Sequence, residues 1–156
     1  MLPALTGKPI RVELRPSLGP YLAAASIPRR LIRLDKEVLE VRGDFERILI
    51  HEIFHFAWVK MSNQSRREWE KLLRAEQDTP GELGWSSEWR RKKLKPSDVR
   101  SRSAKWRRYA CESFCDTAAW MFAGLRSHED FTLPKAFRAE RRQWFERKFA
   151  TDAIPI

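Results

Sequence analysis

Apolar and charged side chains alternate with a period of two near the start of the chain, at residues 8–15 (KPIRVELR). This period is typical of a half-buried β-strand. An apolar run, YLAAAS, follows at 21–26, and the runs RRLIRL at 29–34 and EVLEV at 37–41 predict two more strands or a hairpin. We therefore expect a small antiparallel or mixed sheet over about residues 8–41.

A helical pattern replaces the strand pattern at Asp44, a suitable N-cap residue. Residues 44–61 are apolar nearly all round, which predicts a central helix wrapped by other elements rather than a surface helix. Further helices are predicted at 66–77, 102–123 and 134–149, the middle one ending at Gly124.

This order of elements predicts one α+β domain over residues 1–156, with the small N-terminal sheet packed on the central helix and further helices around it. A chain of 156 residues with 42% apolar content is long enough to bury one core. No internal repeat or second domain is visible in the pattern.

Positive charge is in excess, with 31 Lys and Arg residues against 21 Asp and Glu residues, giving a net charge of +10. Segment 79–108 is rich in basic residues interleaved with Trp85, Trp89 and Trp106. Its part at 79–103 is expected to be a short helix between loops or a mobile flap, most simply a solvated basic face pinned by Trp85 and Trp89. Stacking on tryptophan and contacts to phosphate would also suit a nucleic acid as partner.

The compartment predicted from the sequence is the cytoplasm. The first ten residues, MLPALTGKPI, lack the pattern of a signal peptide, and no run approaches the roughly 20 apolar residues that cross a bilayer. Cys111 and Cys115, four residues apart on a predicted helix, are poorly placed for a disulfide and are expected to be reduced thiols.

The central helix carries the polar residues His51, Glu52 and His55 in an otherwise apolar run, as the pattern HExxH. Residues four apart on a helix differ by about 40° in direction, so both imidazoles can bind one metal ion from the same face. Glu52 would lie beside the open side of that ion, where it can accept a proton from water. The alternative is a buried helix whose histidines are only hydrogen-bonded.

A third protein ligand is needed to complete a zinc site, and Glu112 is the best candidate. Glu112 and Asp116 are the only acids in RYACESFCDTAAWMF, and their i, i+4 spacing places them on one helix face. Glu112 can bind the metal while Asp116 accepts the free ring N–H of one histidine. Alternatively, both acids pair with nearby arginines such as Arg107 and Arg108.

Other candidates for the site remain open. Cys111 and Cys115 are soft enough to bind zinc but are also simple packed thiols. His128 is a possible third ligand or donor to an oxyanion, or a surface residue. Tyr109, one turn before Glu112, is a possible oxyanion donor or a packing residue.

HEIFH followed by a later helix with ESFCD resembles the gluzincin zinc metallopeptidases, and the chain size and order of elements resemble the small members, the minigluzincins and the ImmA/IrrE-type peptidases. The resemblance covers at most half of the chain and implies a zincin-like fold. It also implies that His51, His55 and Glu112 bind zinc, that Glu52 is the general base, and that Asp116 supports a histidine. SprT-like proteases share HExxH but use a further histidine.

The expected function is therefore a zinc-dependent peptidase acting on a peptide or protein substrate, which would lie against an edge strand from the 29–41 region. The alternatives are a nucleic-acid-associated basic protein with a structural metal, and a zincin scaffold that is catalytically silent or latent behind its apolar tail. The oligomeric state is not predicted by the sequence.

Overall fold

The computed structural model describes residues 2–149 and 153–156. Over these residues the chain is α+β, as the sequence predicted, with six α-helices and two small sheets, of which the sheet of β1 and β5 was not predicted. The strands are β1 Leu5–Thr6, β2 Arg11–Arg15, β3 Ala23–Ser26, β4 Leu31–Asp35 and β5 Ile154–Pro155. The helices are α1 Asp44–Lys60, α2 Asn63–Ala75, α3 Trp85–Arg91, α4 Pro96–Arg100, α5 Ala104–Phe122 and α6 Lys135–Phe149.

The N-terminal sheet is mixed, in the order β2-β4-β3, with β2 parallel and β3 antiparallel to β4. The hairpin joins β3 to β4, and the strand predicted at 37–41 was wrong. Lys36–Leu39 is instead a short 3-10 helix, because Asp35 at its start accepts a hydrogen bond from the backbone of Glu37. A second oxygen of Asp35 accepts from the backbone of Leu18, which fixes the end of the strand.

The free edges of this sheet belong to β2 and β3. β4 lies between them and is the most buried strand, so the expectation that residues 29–41 supply the edge strand was wrong. β3 is the edge strand that contacts α1. The apolar side chains of β2 stay about half exposed, Val12 at 44% and Leu14 at 46%.

Two apolar clusters cover α1, as expected of a central helix. Ile48 and Phe56 pack with Ile32 and Leu34 of the sheet. Other α1 side chains pack against α5, α2 and α6 in the larger cluster, which contains Phe54, Ala57, Trp69, Phe114 and Phe145. Helices α1, α5 and α6 lie within two residues of their predicted bounds.

The helix ends differ in detail from the sequence prediction. Gly43, with φ of 91°, is the N-cap residue of α1, and the carboxylate of Asp44 contacts Arg47 and His128 instead of capping the backbone. Gly124, with φ of 75°, adopts the left-handed conformation that terminates α5, which confirms its predicted role.

Segment 79–103 contains the two short helices α3 and α4, and α3 packs on α5. A buried ionic network connects this segment to the core. Arg141, fully buried, bonds Glu76 at 2.6 Å and Glu82 at 2.8 Å, while Tyr109 and Arg91 also bond Glu82. The segment is therefore fixed by paired charges rather than by its tryptophans.

The C-terminal residues join the fold through β5, which pairs in parallel with β1. Ile154 is fully buried in the larger cluster. None of the helices in the described part of the chain combines the length and the apolar content needed to cross a bilayer.

Candidate metal centre

Helix α1 presents both histidines of HExxH on one face. The Nε2 atoms of His51 and His55 lie 3.2 Å apart, with the ring centroids at 4.9 Å. Glu52, about 100° further round the helix, is 8% exposed. It lies four residues after Ile48 and four before Phe56, which pack on the sheet, and therefore shares their side of α1. At this separation the two nitrogens can share one hydrogen bond, or both can bind one cation.

Helix α5 brings its two acids to these histidines. Glu112 Oε2 lies 3.3 Å from His51 Nε2 and 3.9 Å from His55 Nε2. Asp116 Oδ1 lies 2.7 Å from His51 Nδ1 and is placed to accept a hydrogen bond from it. That bond orients the ring so that Nε2 faces Glu112 and His55.

Helix α3 holds both acids from the opposite side. Ser86 Oγ donates to Glu112 Oε2 at 2.6 Å, and Arg90 lies 3.0 Å from Glu112 Oε1. The backbone N–H of Ser87 donates to Asp116 Oδ2 at 2.9 Å. Over the residues that the structure describes, neither acid pairs with Arg107 or Arg108 of α5. Glu112 does pair with another arginine, Arg90 of α3, so the alternative of an arginine partner is met for Glu112 but not for Asp116.

Gly84 makes this close approach of α3 possible. A Cβ atom at this position would overlap the carboxyl group of Asp116, so only glycine lets the start of α3 touch that side chain. Sequence reasoning missed the contribution of α3. The sequence WSSEWRR gives no signal for it, since the contacts join residues 22 or more positions apart.

The electrostatics of the cluster favour a positive charge at its centre. Burial opposes protonation of His51, but the neighbouring Asp116, Glu112 and Glu52 hold its pKa well above the usual value. Burial would raise the pKa of Glu112, yet hydrogen bonding and charge from His51 and His55 lower it to about 2. Three carboxylates thus surround two imidazoles in a buried site.

The two cysteines lie beside Nδ1 of His55, the ring nitrogen that does not face His51. Both are free thiols, and the sulfur atoms of Cys111 and Cys115 each lie 3.5 Å from His55 Nδ1. Among the described residues, His51, His55 and Cys115 form a group whose potential ligand atoms all lie within 4.8 Å of one another. These three residues could hold a metal ion.

The other two candidates are engaged elsewhere. The hydroxyl of Tyr109 donates to Glu82 at 2.5 Å in the buried ionic network. His128 accepts the backbone N–H of Asp130 at Nδ1 and lies 3.2 Å from Asp44 at Nε2. Asp44 begins α1 about 10 Å along the axis from His51, so the structure does not place His128 at the metal centre.

Comparison of the chain with known protein families, with curated proteins and with solved structures gave no match. The functional argument therefore rests on the geometry of the site and on the chemistry of its residues.

Proposed function

We propose that this protein is a zinc-dependent peptidase of the gluzincin type with a zincin-like fold. The observation that carries the proposal is the convergence of His51 Nε2, His55 Nε2 and Glu112 Oε2, whose separations are 3.2, 3.3 and 3.9 Å. Zinc bonds of about 2.0–2.2 Å in tetrahedral geometry require ligand atoms about 3.3–3.6 Å apart. The two separations from His51 lie within about 0.1 Å of this range, and the separation of 3.9 Å between His55 and Glu112 exceeds it by about 0.3 Å, so a small shift of the Glu112 side chain would complete the geometry.

Glu112 is a better third ligand than Cys115. The sulfur of Cys115 faces His55 Nδ1, whereas the two histidines face each other through Nε2. One imidazole cannot bind the same ion through both nitrogens, so a site that uses both Nε2 atoms excludes the sulfur and includes Glu112. Cys111 and Cys115 then serve as weak acceptors for the Nδ1–H group of His55.

The chain supplies the remaining groups for hydrolysis. A bound zinc ion would polarise the substrate carbonyl and lower the pKa of water to about 7. Glu52 accepts the proton of the attacking water and donates it to the leaving amine. Asp116 keeps His51 in the tautomer whose Nε2 carries a lone pair, and Arg90 with Ser86 orients the Glu112 carboxylate.

The free edge of β3 is the surface on which we expect a peptide to bind. β3 contacts α1 and is antiparallel to β4, so an extended peptide can add to it through backbone hydrogen bonds. Glu52 leans to this side of α1, while Glu112 and α3 lie on the other side. The substrate would then cross the metal site between β3 and α3.

Three substitutions test the proposal together. Glu52→Gln should retain zinc and lose peptide cleavage by about 10²–10⁴-fold, the usual contribution of a general base. Glu112→Gln should lose zinc affinity by more than the about 10- to 100-fold that an outer hydrogen-bond partner contributes. Cys115→Ser, the matched control from the neighbouring helical turn, should retain zinc.

The measurements are zinc content after purification without added metal, zinc affinity against a chromophoric chelator, and cleavage of unfolded casein followed by mass spectrometry. Retention of wild-type zinc affinity in Glu112→Gln together with its loss in Cys115→Ser would contradict the ligand assignment. Full cleavage by Glu52→Gln would contradict the mechanism.

A further inference from the structure

Two tryptophans of α3 are exposed beside the metal centre. Trp85 is 65% exposed and Trp89 is 43% exposed, and their rings stack with centroids 6.0 Å apart and an angle of 25°. Exposed indoles cost hydrophobic free energy and are enriched where a partner covers them. By contrast, Trp106, expected from the sequence to belong to the same basic surface, is buried and donates to Glu70.

Trp85 is the more exposed ring of the pair, and among the described residues cations contact only the Trp89 ring of this pair. Residues 85, 89 and 93 follow at four-residue spacing and therefore lie along one stripe of the helix and the turn that continues it. The ammonium group of Lys93 lies 3.3 Å from the ring centroid of Trp89. Lys93 and Trp85 thus flank Trp89, which leaves the outer face of Trp85 open for one planar group.

The position of Trp85 connects this surface to the metal centre. The next residue, Ser86, donates to Glu112 Oε2, the atom that lies 3.3 Å from His51 Nε2. Neighbouring helical residues point about 100° apart, so the indole projects from the side of α3 next to the one that contacts Glu112. An aromatic side chain stacked on Trp85 would therefore lie one helical position away from the residue that contacts Glu112.

We propose that Trp85 and Trp89 form an aromatic surface beside the candidate metal centre and bind an aromatic side chain of the peptide near the bond that is cleaved. This inference rests on the proposed peptidase function and assigns its substrate class. Offset stacking of an aromatic ring on an indole is favourable beyond the area that it buries, which distinguishes aromatic from aliphatic side chains of the same size.

A single-stranded nucleic acid fits this surface less well. Such ligands stack several bases in succession and need free cations beside the rings. Here the two indoles stack on each other, Arg90 is paired with Glu112, and Lys92 is paired with Glu88 at 2.7 Å. The exposed ring face of Trp85 can stack with one aromatic group, and most of the neighbouring cations are already paired with acids. This surface therefore suits one aromatic side chain better than a series of bases.

Binding is tested on the zinc-loaded Glu52→Gln protein, which should not consume its ligand. The probes are two capped, fluorescein-labelled octapeptides that differ only in phenylalanine or cyclohexylalanine at the fourth position. We expect the phenylalanine peptide to bind on the order of tenfold more weakly when Trp85→Ala is added, with a much smaller change for the cyclohexylalanine peptide. Leu39→Ala, another exposed apolar residue at 56%, is the control.

Cleavage is tested with the wild-type protein on unfolded casein. Aromatic residues should be enriched within two positions of the cleaved bonds, and Trp85→Ala should remove that enrichment. Binding of the phenylalanine peptide that depends on Trp85, in a protein that cleaves nothing, would support the surface and contradict the peptidase function. Cleavage without aromatic enrichment, or equal binding of both peptides, would overturn the inference. It would also be overturned if Trp85→Ala weakened the binding of a fluorescein-labelled oligothymidylate but not the binding of the peptides.

Discussion

Replacing Gly84 with alanine would directly test the contact between α3 and the metal centre. The φ angle of Gly84 is −175°, an extended conformation that alanine adopts without strain. The obstacle is space, because the added Cβ would overlap the carboxyl group of Asp116. Asp116 is 2% exposed and is held by His51 and Ser87, so it cannot simply swing away. Either Asp116 leaves His51, or α3 moves off α5.

Two costs follow from that overlap. Inserting a methyl group into a packed site costs about 1–3 kcal/mol of stability, which lowers Tm by about 2–12 °C for a domain of this size. Loss of the hydrogen-bond partner of a metal-binding histidine lowers metal affinity by about 10- to 100-fold. We therefore expect Gly84→Ala to bind zinc about 10- to 100-fold more weakly and to unfold at a lower temperature with and without zinc.

Zinc affinity is measured by competition with a chromophoric chelator, and unfolding by circular dichroism. Asp116→Asn keeps the shape of the side chain and should reproduce the loss of affinity with less effect on packing. The double variant should lose less affinity than the two single losses together, because both act through the bond to His51. Wild-type zinc affinity and wild-type Tm in Gly84→Ala would refute the packing argument.

Two predictions concern the core. Arg141→Met leaves the buried carboxylate of Glu76 without its ion-pair partner and removes one partner of Glu82, which keeps Arg91 and Tyr109. The variant should cost about 3–5 kcal/mol at pH 7 in urea unfolding. Burial already raises the pKa of Glu76, and Arg141 opposes that rise, so loss of Arg141 should raise the pKa further. A raised pKa in the folded state means that the folded variant binds a proton more tightly than the unfolded chain. The loss of unfolding free energy should therefore be smaller at pH 5 than at pH 7. Ile154→Ala, at a fully buried position, should cost about 2–5 kcal/mol in the same assay, and an unchanged midpoint would contradict the packing of β5.

The hydrophobic pattern determined the elements whose signal is local. Helices α1, α5 and α6 were predicted because their apolar residues repeat at helical spacing over 15 or more positions. The run at 37–41 was misread as a strand because its alternation is too short to distinguish a strand from a 3-10 helix. There the hydrogen bond from the backbone of Glu37 to Asp35 decided the conformation.

For the candidate site, the sequence determined which residue types lie on one helix face. The spacing of His51 and His55, and of Glu112 and Asp116, is fixed by the helical repeat alone. The roles of these residues as zinc ligands, general base and support remain a proposal, which the experiments on Glu52 and Glu112 test.

Tertiary structure alone decided how the two helices meet and what covers them. The distance of 2.7 Å between His51 and Asp116, the approach of α3 to both acids and the exposure of Trp85 depend on contacts between residues far apart in the chain. A seven-residue helix such as α3 is too short for its periodic pattern to predict which of its faces is buried or against which element it packs. Its position follows from packing at Gly84 and from the buried charges around Glu82, because a side chain's partners are set by the fold and not by its sequence neighbours.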